Sequence, residues 1–96
     1  MNMPHHFEIT TATALREAAV SRAMIGDLDR IIKVLDTDIA TEEERARVFD
    51  RSDALYPILA RTLMARRENL KLTVAALEQR LAAISATIPQ VTTTAA

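Results

Sequence analysis

Apolar residues recur along this chain at alternating intervals of three and four. In the first half they fall at Ala18, Ile25, Leu28, Ile32, Leu35, Ile39, Ala46 and Phe49, with Ser21 and Glu42 occupying the two gaps in the series. In the second half they fall at Tyr56, Ala60, Leu63, Leu70, Val74, Leu77, Leu81, Ile84 and Ile88, interrupted only by Arg67. This spacing keeps a stripe of side chains on one side of an α-helix. It predicts helix 1 over about 13–50, a turn over about 51–56 and helix 2 over about 57–88. Residues 1–12, which include Pro4 and show no periodicity, read as a flexible N-terminal arm, and 89–96 (PQVTTTAA) as a disordered tail.

Two antiparallel helices joined by a short turn meet in layers whose residue numbers add to a near-constant sum. The two stripes satisfy that rule as Phe49/Tyr56, Ala46/Ala60, Glu42/Leu63, Ile39/Arg67, Leu35/Leu70, Ile32/Val74, Leu28/Leu77, Ile25/Leu81, Ser21/Ile84 and Ala18/Ile88. The expected fold is therefore all-α: one long, coiled-coil-like, antiparallel two-helix hairpin. Charge fits the same pairing. Residues 13–50 carry nine acids and six bases, residues 53–88 five bases and three acids. Glu42, Glu43 and Glu44 are expected opposite Arg61, and Asp36 and Asp38 opposite Arg66 and Arg67. Exposed pairs of this kind contribute ~0.2–1 kcal/mol each, enough to orient helices but not to hold them together.

Two local points admit alternatives. Ser52 and Asp53 are turn and N-cap residue types, so helix 2 can start at Asp53. Pro57 disfavours the α conformation at Tyr56 and suits a first helical position, which favours the later start. Thr41 followed by Glu44 matches a capping box and can mark a break in helix 1. With neither Gly nor Pro nearby and Ala40 a strong helix former, one continuous helix is the expected state.

Composition narrows the picture further. The chain has 96 residues, so it forms one domain at most; one glycine and three prolines are too few turn-formers for a many-stranded sheet. Only two Phe and one Tyr are present, so the core is thin and aliphatic. The formal charge of −1 lacks the basic excess typical of nucleic-acid-binding chains. The N-terminus lacks the basic and apolar regions of a signal peptide, and no uncharged apolar run approaches the roughly 20 residues of a membrane span. With no cysteine, these features read as a small soluble cytoplasmic protein of bacterial type, not a membrane one.

Candidate chemistry is sparse. His5 and His6 beside Glu8 are metal-ligand residue types, but zinc takes about four well-placed ligands and there is no other His or Cys. Asp27, Asp29, Asp36 and Asp38 are spread around a helix, without the Glu-x-x-His pattern of di-metal bundles. No histidine lies in the helical blocks to activate a Ser or Thr, and no Gly-rich loop is present to hold a phosphate. Tyr56-Pro57 with Phe49 reads as packing at the hairpin tip. Neither an enzymatic activity nor a cofactor nor a metal is expected.

What the seam leaves over is more telling. Met24 and Ile31 flank it on helix 1, with Val20, Val34 and Val48 further round; Leu55, Ile58, Leu59, Met64, Leu72 and Ala76 lie outside it on helix 2. A solitary hairpin exposes these residues, and contiguous apolar surface commonly marks an interface. Met24, Ile31, Ile58, Leu59, Met64 and Leu72 are thus the interface candidates. The expected assembly is a homodimer forming a four-helix bundle, or a bundle completed by another helical protein. The expected function is a non-enzymatic protein–protein interaction module, such as a small adaptor, chaperone-like or regulatory protein. The hairpin-dimer plan also resembles, in architecture and not in motif, a small plasmid-encoded RNA-binding protein. That resemblance implies an alternative in which Arg61, Arg66, Arg67 and Lys71, doubled by symmetry, form a basic stripe for nucleic acid.

Overall fold

A computed structural model describes the backbone of residues 3–88 and the side chains of residues 10–88. It consists of two α-helices, α1 (Met3–Ala46) and α2 (Ile58–Thr87), packed side by side as a hairpin. At 1.5 Å per residue α1 is ~66 Å long and α2 ~45 Å. Neither is long and apolar enough to cross a membrane.

Three boundaries can be set beside the sequence expectation, which differs at both ends of α1. First, α1 starts at Met3, so residues 3–12, read above as an arm, are helical; Pro4 falls in the first turn, where the missing N–H has no carbonyl to serve. Second, α1 ends at Ala46 and not near 50. Arg47 adopts φ 57°, the left-handed conformation that reverses a helix end, without the glycine that commonly marks such a stop. Third, α2 begins at Ile58 directly after Pro57, whose carbonyl accepts the first helical bond from the Arg61 amide at 3.1 Å. Residues 89–96 lie outside the described residues. Within α1 the chain passes Thr41 unbroken; its hydroxyl donates to the Thr37 carbonyl at 2.9 Å, as an interior threonine does.

The connection between the helices is built from two aspartates. Asp50 Oδ1 accepts from the Ser52 amide (2.9 Å) and hydroxyl (2.7 Å), and Asp53 Oδ1 accepts from the Leu55 amide at 2.8 Å. Backbone turns from the Asp53 amide to the Asp50 carbonyl and from the Tyr56 amide to the Asp53 carbonyl complete the reversal. The Ser52 bonds hold the Asp50 carboxyl below its ordinary pKa.

The core is the stripe read from the sequence. Ala18, Ser21, Leu35, Ile39, Tyr56, Ala60, Val74 and Ile84 are buried, and every one is a seam position. The remaining seam residues are half-buried except Phe49, which is 56% exposed because α1 has already ended. Among the described residues no large side chain is fully buried, as expected of an interface only one helix wide.

The pairing along the seam is a different matter. Arg67 Nη1 donates to Asp36 Oδ1 at 2.8 Å, Tyr56 to Glu43 Oε2 at 2.8 Å, and Arg80 lies 3.8 Å from Glu17. A groove places Leu77 and Arg80 beside Glu17, Val20, Ser21 and Met24, and another places Leu59 and Leu63 beside Asp38, Thr41 and Glu42. Leu63 lies beside Glu42, and Arg67 meets Asp36, as the sequence anticipated, whereas toward the open end Leu77 lies beside Ser21 and Met24 where Leu28 was expected. A stripe spaced three and four is still a stripe after one step, so either register buries the same residues. The longer connection, set by the early end of α1, selects this one.

Candidate interaction surface

On α1, Val20, Met24, Ile31 and Val34 follow the same three-and-four rhythm as the seam, with Asp27 in the middle. They lie ~110° round the helix from the seam. All four are exposed: Val20 58%, Met24 45%, Ile31 39% and Val34 58%. From Val20 to Val34, fourteen helical steps, the row is ~21 Å long. One ion pair, Arg30–Asp27, lies at its middle, and another, Arg80–Glu17, crosses to α2 beside its N-terminal end. At its N-terminal end a groove of about 230 Å³ opens between the helices, lined by Glu17, Val20, Ser21, Met24, Leu77 and Arg80.

The six sequence-derived candidates do not gather on one face. Met24 and Ile31 lie in the α1 row. Leu59, 52% exposed, is on the same flank of the hairpin but near the tip, beside Asp38 and Thr41. Ile58 (81%) and Leu72 (69%) lie on the side of α2 facing away from α1. Met64 is half-buried, and its sulfur sits 3.3 Å from the Tyr56 hydroxyl, so it belongs to the tip packing. Val20 and Val34, not among the six, complete the α1 row; the signal for them is their spacing from Met24 and Ile31.

The tip is a second organised cluster. Tyr56 is only 2% exposed, its hydroxyl donates to Glu43, and the Arg61 guanidinium lies over its ring at 5.2 Å from the centroid. Burial, reinforced by the bond to Glu43, raises the Tyr56 pKa above its ordinary value. Phe49 does not share this burial. Arg61 also donates to the Asp53 carbonyl at 3.1 Å, so it braces the turn and does not reach the Glu42–Glu44 acids. Glu42 pairs instead with Arg45 (2.7 Å) and Glu44 with Arg47 just past the helix end, while Glu43 takes the Tyr56 hydroxyl. The hydrogen bond from Arg45 lowers the Glu42 pKa, and the reciprocal bond raises that of Arg45.

The four basic residues of the nucleic-acid alternative are likewise dispersed. Arg61 stacks on Tyr56, and Arg67 lies in the seam, 13% exposed and bound to Asp36. The Arg67 Nε is buried without a hydrogen-bond partner, 3.6 Å from Glu68 Oε1. Arg66 and Lys71 are exposed but project to opposite flanks of α2, with Lys71 3.8 Å from Glu68. No group of three or more potential metal ligands occurs among the described residues; the His5, His6 and Glu8 side chains lie outside them.

A shallow open surface is lined by Asp36, Thr37, Ala40, Thr41, Glu44 and Arg45, and its two threonine hydroxyls donate to the Lys33 and Thr37 carbonyls. No family model, curated protein or solved structure matches the chain.

Proposed function

We propose that this chain is a non-enzymatic helical interaction module that works as a homodimer, two hairpins packing into a four-helix bundle. The observation that carries the reading is the exposed row Val20, Met24, Ile31 and Val34 on the flank of α1. Each helix of a four-helix bundle has two contact faces, and a second apolar stripe about a quarter-turn to a third of a turn from the first meets that need. A thin core favours the same conclusion: a hairpin with no fully buried large side chain gains stability by covering its outer face. The dispersal of Arg61, Arg66, Arg67 and Lys71 gives the nucleic-acid alternative no comparable support.

Sedimentation equilibrium combined with thermal melts at several concentrations tests the reading. The expected result is a dimer whose Tm rises with concentration, since association stabilises the folded state by mass action. A monomer with a high, concentration-independent Tm would refute it. A monomer that is only marginally stable alone would redirect the reading to a different helical protein completing the bundle.

A further inference from the structure

We infer that the occupant of the α1 row is the same row of a second copy, laid antiparallel across a two-fold axis that passes beside Asp27. This rests on the dimeric reading above and adds the face and the symmetry.

Three observations lead to it. The first is the order of the row. An isologous interface requires that whatever residue i meets, its equivalent meets in return. Reversing Val20, Met24, Asp27, Ile31, Val34 about Asp27 sets Val20 against the partner's Val34 and Met24 against the partner's Ile31, within one residue of register. All four apolar residues then meet apolar residues, twice over. The second is charge. Asp27, the one acid inside the row, falls on the axis, and each copy brings Arg30 one turn away, already paired with its own Asp27. Two aspartates and two arginines at the centre make a neutral cluster in which each guanidinium can reach both carboxylates.

The third is shape. The groove beside Val20, Met24 and Leu77 lies where the partner's Val34 would enter. The chain exposes 7342 Å² for 10.6 kDa. A compact monomer of that mass exposes ~5,500 Å². The difference, ~1,800 Å², belongs to the elongated shape of the hairpin as a whole, of which the ~21 Å row is one part.

The 96-residue chain has no cysteine, which permits a direct test. Asp27→Cys and, separately, Leu72→Cys are exposed to a short thiol–thiol cross-linker at a concentration where the chain sediments as a dimer. The expected result is efficient cross-linking through residue 27 and little through 72. In parallel, Met24→Glu with Ile31→Glu is expected to raise the dimer Kd by at least ~100-fold, because each site is buried twice. Circular dichroism of this variant should show helix content retained, as both side chains are exposed in the single hairpin. A dimer that cross-links through 72 and not 27, and that tolerates the double glutamate change, overturns this inference and leaves the dimeric reading standing. A chain that remains monomeric at ~100 µM overturns it as well, and the melting experiment above then decides the wider reading.

Discussion

Tyr56→Phe isolates the bond that fastens the hairpin tip in the observed register. The ring is buried, so the change keeps the apolar contact and removes only the hydroxyl, which donates to Glu43 Oε2 at 2.8 Å and sits 3.3 Å from Met64 Sδ. Hydrogen bonds to charged acceptors contribute ~1.5–3 kcal/mol; Glu43 is half-buried, so screening places this one near the lower bound, about 1.5 kcal/mol. In urea, with m about 1.5 kcal/mol/M, the midpoint should fall by ~1 M. The measurement is the helical circular dichroism signal at fixed protein concentration, because association would itself shift the midpoint.

The same pair of proteins gives a second readout. The Tyr56 pKa is raised by folding, so the associated stability is complete below the unfolded tyrosine value near pH 10 and is lost as pH rises through the higher folded value. The wild-type chain should therefore lose its advantage over the Phe variant in strong alkali. A midpoint unchanged within ~0.2 M at neutral pH, or a gap that widens in alkali, would refute the role assigned to this bond.

Four further outcomes follow from single residues. Gly26→Ala should stabilise the fold by ~0.5–1 kcal/mol, since an added Cβ meets only the Arg30 guanidinium tip at 3.8 Å and the helix gains a better former; a thermal melt reads it. Arg47→Gly should stabilise by about 0.5–1 kcal/mol, because the left-handed φ of 57° strains any residue with a Cβ and the lost exposed pair with Glu44 offsets little; urea unfolding measures it. Arg67→Leu should raise the Tm by a few degrees, as it removes the buried, unbonded Nε from an otherwise apolar seam at the cost of one bond to Asp36. Acid should destabilise the chain below about pH 4, where Glu42 and Asp50, both held below their ordinary pKa, take up protons; stability from a depressed carboxylate is present above its unfolded pKa and lost as pH falls through the folded one. An acid titration of the urea midpoint checks this.

Much of the hairpin can be read along the chain because helical burial writes a period into the residues that face the partner helix. Every buried position, from Ala18 to Ile84, lies in the two stripes that periodicity alone picks out. The second apolar row on α1 is legible for the same reason, although its members become one surface only once the seam direction is known.

Three features come from the tertiary structure instead. The helix stop at Arg47 has no local signal, since a left-handed arginine is held there by the turn that follows and not by its own preference. Which basic residues remain free was decided by packing: Arg61 and Arg67 look like neighbours of Arg66 in the sequence, yet one stacks on Tyr56 and the other enters the seam. The register is the deepest case. Hydrophobic periodicity specifies which side of each helix is buried but repeats with every turn, so it is indifferent to a slide of one step. The connection between the helices and specific, unrepeated contacts such as Tyr56 with Glu43 distinguish one alignment from the next.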